Sequence, residues 1–332
     1  MRVFVFEWVT GGGLWGEALS PGLTREGDMM LRALLADLAQ VPDVQITTSH
    51  DSRLPPVAGV RAITPAPGEE ALALYARGAR AADAAWPIAP ETNGVLERLA
   101  CETLALGKML LGCRPEAVRL TASKRATALA LRAAGVPVVP TFGAGDRLEP
   151  LPGRWVVKPD DGAGCDGALL VDDWRIAATH LAERTTNLVA QPWVDGPATS
   201  LSLLCCDGAA LLLSVNLQHV RVVTAHPRLE GIAVNAIPDN DGTLARLGQR
   251  VASIIPGLWG YVGVDLVLAE QGPLVLEINP RLTTSYCGLS AALGINPAAL
   301  ILNGFLPGED EAWPASGLAT TALVSLAVNG EP

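Results

Sequence analysis

The stretch Leu274-Val-Leu-Glu-Ile-Asn-Pro-Arg281 constrains this chain more than any other. It is a short apolar run carrying Glu277 and Asn279, two residues apart, so on a strand both side chains face the same way. Upstream lies a second apolar run, Gly260-Tyr-Val-Gly-Val-Asp-Leu-Val-Leu268, with one acid, Asp265. Glu270-Gln-Gly-Pro273 between them is a turn signal. Folding back about Gln271 sets Asp265 opposite Glu277, and opposed residues of a hairpin have Cβ atoms about 5 Å apart. Two carboxylates held so close call for a cation, and hard oxygen ligands suit Mg²⁺ with phosphate oxygens completing the shell. The competing reading is a pair of strands whose acids face solvent.

The chain has 332 residues, room for two or three domains with large cores. Half its residues are hydrophobic and 17% are charged, which excludes disorder as a class. No apolar run reaches the length of a membrane span, and Met1-Arg-Val-Phe-Val-Phe-Glu is too short and too acidic for a signal peptide. A cytoplasmic protein with no membrane partner is expected. The net charge of −10 argues against nucleic acid as a partner, so any polyanionic ligand must be held by local positive charge. Six cysteines contain no CxxC pair and read as inert thiols in a reducing compartment. Of 24 basic residues only Lys108, Lys124 and Lys158 are lysines. A chain this rich in arginine keeps lysine where a compact ammonium differs from a guanidinium fork.

From the N-terminus, strand signals at 2–6, 44–48 and 84–88 alternate with helical periodicity over 24–40 and 68–82. That alternation predicts a small parallel α/β unit. Gly11-Gly-Gly13 lacks the GxGxxG spacing of a dinucleotide fingerprint and reads as a tight turn, which leaves an oxidoreductase poorly supported. Ala89-Pro-Glu-Thr-Asn-Gly94 opens a helix running through Leu104; Glu91 is either a first-turn charge or a substrate contact at a strand end. A helix ending at Ala134 follows, then strands at 154–158, 168–171 and 188–195 with a helix over 172–185. Strand signals recur at 200–206, 209–217 and 231–237. Helices over 241–254 and 290–304 flank the acidic hairpin, and 320–328 reads as a last strand.

Lys158 ends a strand and borders a loop with Gly162, Gly164 and Gly167. Glycines let backbone N–H groups approach phosphate oxygens, and the lysine supplies charge. The order differs from a P-loop, because the lysine precedes the glycines. An ordinary glycine-rich hairpin is the alternative. Gln191-Pro-Trp-Val-Asp195 suits a linker between lobes, with Gln191, Trp193 and Val194 beside an adenine and Asp195 on a ribose; a plain edge strand is the alternative.

In this order, Lys124, Lys158 with its glycine loop, Gln191–Asp195, Asp265 and Glu277-x-Asn-Pro-Arg281 resemble the ATP-grasp superfamily over about residues 110–310. The resemblance implies an ATP-grasp fold: an N-terminal α/β pre-grasp domain (1–112), then a central lobe (113–195) and a C-terminal lobe (196–332) enclosing ATP. It implies that Lys124 and Lys158 touch phosphates, that Asp265, Glu277 and Asn279 hold Mg²⁺ (or Mn²⁺), and that Arg281 faces the transferring phosphate. Two positions depart from the pattern: Gln191 stands where Glu is frequent, and Ser123-Lys124 where Asp-Lys is frequent. A narrower resemblance, on Phe6-Glu-Trp-Val-Thr-Gly-Gly-Gly13, Ala89–Gly94 and Val215-Asn-Leu-Gln218, is to the tyramine–glutamate ligase branch of methanofuran (and methylofuran) biosynthesis. It implies a carboxylate–amine ligase that joins glutamate to an amine through an acyl phosphate, with small-molecule partners and a homodimer among the expected assemblies. Arg221 joins Arg281 as a candidate for the phosphates; Asn216, Gln218, Thr283 and Thr284 are candidates for substrate. A D-alanine–D-alanine-like ligase, a carboxylase subunit and a non-catalytic nucleotide-binding module are the other readings.

Overall fold

A computed structural model describes residues 1–162, 164–183, 187–303 and 320–325. The chain opens with β1 (Arg2–Glu7), α1 (Pro21–Leu38), β2 (Gln45–Ser49), β3 (Arg61–Ile63), α2 (Ala71–Arg80), β4 (Ala84–Ile88), α3 (Val95–Ala105) and β5 (Met109–Leu110). These strands form one sheet in the order β3-β2-β1-β4-β5, all parallel. A strand buried on both faces is what the unbroken apolar run of β1 predicts. The α1 residues Leu31, Leu34, Leu35 and Leu38 are buried, the expected helical stripe. Pro21 sits at its first turn, where the missing N–H costs nothing.

Next come α4 (Pro115–Ala122), α5 (Lys124–Ala133), β6 (Phe142–Gly143), β7 (Trp155–Pro159), β8 (Leu169–Val171), α6 (Trp174–Ala182) and β9 (Leu188–Pro192). Their strands make a small antiparallel sheet, β6-β9-β7-β8, with its own core around Trp155, Val157, Ala177 and Leu181. The remaining elements are β10 (Ala198–Cys206), β11 (Ala209–Val223), β12 (His226–Val234), α7 (Thr243–Ile254), β13 (Gly260–Ala269), β14 (Gly272–Asn279), α8 (Tyr286–Leu293), α9 (Pro297–Leu302) and β15 (Ala322–Ser325). They build a six-stranded sheet, β14-β13-β10-β11-β12-β15. The parallel sheet and this one share cores; Asp37 of α1, for example, accepts hydrogen bonds from Tyr286 and Ser290 of α8.

Two helices expected as continuous are broken. Ser123 separates α4 from α5 by taking extended backbone and capping the second helix: its Oγ accepts from the Ala126 N–H at 3.0 Å. The predicted helix over 290–304 begins earlier, at Tyr286, and stops at Leu293, where Gly294 takes a left-handed conformation; Pro297 then starts α9. Residues 184, 185, 304 and 326–328, which sequence patterning placed in helices or the last strand, lie outside the described residues.

Candidate active site

The β13–β14 hairpin carries Asp265 directly opposite Glu277. The two-residue turn by itself pairs Ala269 with Gly272 and so on up to Leu266 with Val275. A bulge between Asp265 and Leu266 then shifts the ladder by one residue, which brings Glu277 opposite Asp265 and Asn279 opposite Gly263. Gly263 is required there, because a Cβ would lie 2.7 Å from the Thr283 methyl.

Two lysines from elsewhere converge on Glu277. Lys124, at the start of α5, has its Nζ 3.4 Å from Glu277 Oε2; Lys158, on β7, has its Nζ 3.5 Å from the same oxygen. Lys124 also donates to the Gly162 carbonyl at 2.5 Å and the Asp160 carbonyl at 3.3 Å, which ties it to the glycine-rich loop. The absent Asp of the Asp-Lys pattern is replaced twice at this helix start, by the Ser123 hydroxyl and by Asp160, whose Oδ1 accepts the Arg125 N–H at 2.9 Å. Gly164 and Gly167 take φ of +65° and +69°, and Cys165 between them +64°, so this loop rests on a left-handed backbone.

The electrostatics divide the two acids. Burial opposes ionisation of Glu277, but the ammonium groups of Lys124 and Lys158 outweigh it and hold the carboxyl at about 2. For Asp265, burial and then the Glu277 charge act together and push it up to about 7. Two amides meet it: Gln218 Nε2 donates to Oδ1 and Asn279 Nδ2 to Oδ2, each at 3.0 Å. A part-buried carboxylate opposite another acid, with no ion pair among the described residues, fits a metal site. No cluster of three His, Cys, Asp or Glu side chains suited to a metal occurs among the described residues. The donor set is therefore two carboxylates and one amide, with the rest of a shell left to phosphate and water oxygens. Turning the Asn279 amide over presents its oxygen in place of its nitrogen.

These groups line one cleft of about 910 Å³ whose walls come from all three sheets. Lys124, Lys158, Gly162, Gly164, Gly167, Gln191, Trp193, Val194, Gln218, Asp265, Glu277, Asn279, Arg281, Thr283 and Thr284 all line it. Arg281 is part-buried and reaches Glu91 through Nε to Oε1 at 3.0 Å and Nη2 to Oε2 at 3.1 Å. The Nε contact has ion-pair distance without hydrogen-bond geometry, so both atoms are left without a hydrogen-bond partner. Thr92 Oγ1 donates to the Asp161 carbonyl and Asn93 N–H to its carboxylate, so the 91–93 turn touches both Arg281 and the glycine-rich loop.

An ATP-grasp domain model matches residues 121–285, and a pre ATP-grasp 3 domain model matches residues 44–118. The chain belongs to the ATP-grasp family. Its curated relatives include the tyramine–L-glutamate ligases of Methanocaldococcus jannaschii, 30% identical, and Methanocaldococcus fervens, 28% identical. Each alignment takes in 62% of this chain and 58% or 61% of the relative, so the match spans under two thirds of those proteins. Among solved structures, an ATP-grasp superfamily protein from Archaeoglobus fulgidus superposes with a TM-score of 0.71 at 22% identity, covering 98% of this chain and 100% of that one.

Relative to this ATP-grasp cleft several expected residues are placed or engaged otherwise. Arg221 points away: on β11 it is Gln218, Val220 and Val222 that line the cleft, and strand alternation puts Arg221 on the other face. There it pairs with Glu230 at 2.5 Å and is exposed. Asn216 shares a face with Gln218 but is fully buried and held by Ser200, Ser202, Ser214 and the Asn235 N–H. Asp195 is exposed, outside the cleft lining, and accepts the Trp193 indole N–H at 3.0 Å. Gln191 lines the cleft but its amide donates to Thr141 at 2.8 Å. Glu91 is not part of the lining; it braces Arg281 from behind. Sequence reasoning missed Glu7 and Glu26, which line the N-terminal wall. The available signal was an acid set beside the buried stripe of α1, next to Gly27 and four residues before Met30.

Proposed function

We propose that this chain is an ATP-dependent carboxylate–amine ligase that joins L-glutamate to tyramine or a similar amine and releases ADP and phosphate. The observation that carries the reading is the convergence of Lys124 and Lys158 on Glu277, opposite Asp265, in one cleft. The named relatives supply the substrates; the geometry supplies the phosphate chemistry. Structural boundaries near residues 112 and 195 would then separate the pre-grasp domain, the central lobe and the C-terminal lobe.

Lys124 and Lys158 would meet the nucleotide phosphates, with the backbone of Gly162, Gly164 and Gly167 closing over them. Gln191, Trp193 and Val194 would border the base. Asp265, Glu277 and Asn279 would hold Mg²⁺, which when bound offsets charge on the transferring phosphoryl group. The substrate carboxylate attacks the γ-phosphorus, and ADP leaves. Arg281, fixed by Glu91, stabilises the acyl phosphate, and Thr283 and Thr284 line its carboxylate side. The amine nitrogen then attacks the acyl carbon and phosphate departs. No side-chain nucleophile is required; catalysis is positioning and preorganised charge. A reaction that consumes ATP and an amino acid supports a cytoplasmic location.

The test is product analysis with Mg²⁺, ATP, L-glutamate and tyramine. ADP, phosphate and an amide are expected in equal amounts. AMP and pyrophosphate in their place would overturn the acyl-phosphate route.

A further inference from the structure

We infer that Glu26 is a catalytic residue of the acceptor half-reaction: it receives the ammonium of the incoming amine and takes its proton before attack. The inference rests on the ligase reading above. Glu26 lies in the second turn of α1 and lines the same cleft as Arg281. α1 approaches the end of β1 closely: a Cβ on the neighbouring Gly27 would lie 2.7 Å from the Glu7 carboxylate. That approach sets Glu26 over the strand end. Thr284 and Arg281 line the cleft with Glu26, and both favour its charged form against the cost of burial. Among the described residues Glu26 forms no ion pair, because the Arg281 guanidinium is held by Glu91. A part-buried carboxylate in the cleft wall with no salt-bridge partner among the described residues is provided for a cation that arrives with substrate. Burial raises its carboxyl and makes it a better proton acceptor than an exposed acid.

Its surroundings set the class of amine. Trp8, Leu23 and Met30 line the same wall, so the amine that fits carries an apolar body behind its nitrogen. The step balances as follows. Glu26 takes one proton from the ammonium; the freed lone pair forms the C–N bond; the C–O bond to phosphate breaks and its electron pair leaves with phosphate. The second nitrogen proton passes to water or to the departing phosphate.

Hydroxylamine separates the two half-reactions, since it is neutral near pH 7 and needs no base. Wild type and Glu26→Gln are compared with ATP, Mg²⁺ and L-glutamate, using hydroxylamine or tyramine as acceptor. The expected result is undiminished hydroxamate formation by Glu26→Gln, with amide formation from tyramine down about 100-fold or more and an unchanged KM for ATP. Retained hydroxamate formation also proves that the variant is folded. Wild-type rates with tyramine would overturn the role of Glu26 while leaving the ligase reading intact. Equal loss with both acceptors would make Glu26 structural and would also overturn the inference. Absence of hydroxamate from the wild type overturns the ligase reading itself and the inference with it.

Discussion

Glu277 holds two ammonium groups at once with a single charge. Glu277→Gln removes the carboxylate that Lys124 and Lys158 share. Lys124 keeps two backbone carbonyls, so the loss of stability is expected at the low end for a broken buried pair, about 3 kcal/mol. Chemical denaturation reads it; an unchanged midpoint would contradict the pairing. Asp265 behaves oppositely. Its carboxyl is raised from 3.8 to about 7, so the folded chain retains a proton that the unfolded chain has shed. Between about pH 4 and 7 rising pH therefore destabilises the metal-free protein through this group. A bound cation removes that penalty, so the rise in melting temperature on adding Mg²⁺ with ADP should be larger at pH 8 than at pH 6. A larger rise at pH 6 would contradict the assignment. The Asp265–Glu277 pairing was legible because two acids bracket an evident turn. The bulge that makes the pairing work was not, since nothing in the side chains of 265–277 announces it. Glu26 was hidden for another reason: an acid beside an apolar helical stripe looks like any solvated neighbour until tertiary packing covers it.

At the scale of elements, strand parity and helix breaks decided what the sequence could show. The β11 pattern gave Asn216 and Gln218 one face, correctly, but depth along the strand then separated them: Gln218 meets the cleft and Asn216 an internal hydroxyl network. Arg221 has odd parity relative to Gln218, and counting two residues at a time was enough to exclude it. The helix boundary at Ser123 was legible only as a departure from an expected Asp, whereas the cap and the Asp160 contact depend on chain brought from β7. Helix α2 offers a test of packing against propensity. Gly78 lies against the Phe4 ring, and a methyl there would fall inside the ring's van der Waals envelope. Alanine is the better helix former by about 1 kcal/mol. Gly78→Ala should nonetheless destabilise the fold by about 1–3 kcal/mol through overpacking. A thermal or urea midpoint above wild type would show that the Phe4 contact gives way.

Across the whole molecule, a large cleft bounded by three sheets is the feature that function depends on. The alternating strand–helix pattern of the first hundred residues made the parallel sheet legible, and the Lys–glycine-loop and Glu-x-Asn-Pro-Arg units made the family legible. Contacts between distant parts were not. The Glu91–Arg281 pair spans 190 residues, and the Thr92 and Asn93 bonds to Asp161 join the N-terminal unit to the glycine-rich loop. They explain why a short turn that looked like a helix start is so placed: it braces the arginine on one side and the phosphate loop on the other. The central claim is that a substrate carboxylate is phosphorylated between these walls. Turnover with L-glutamate carrying ¹⁸O in its carboxylates tests it most directly, with the released phosphate read by mass spectrometry. Transfer of one ¹⁸O from glutamate to phosphate is the predicted result; unlabelled phosphate, or label recovered in AMP, would contradict the account.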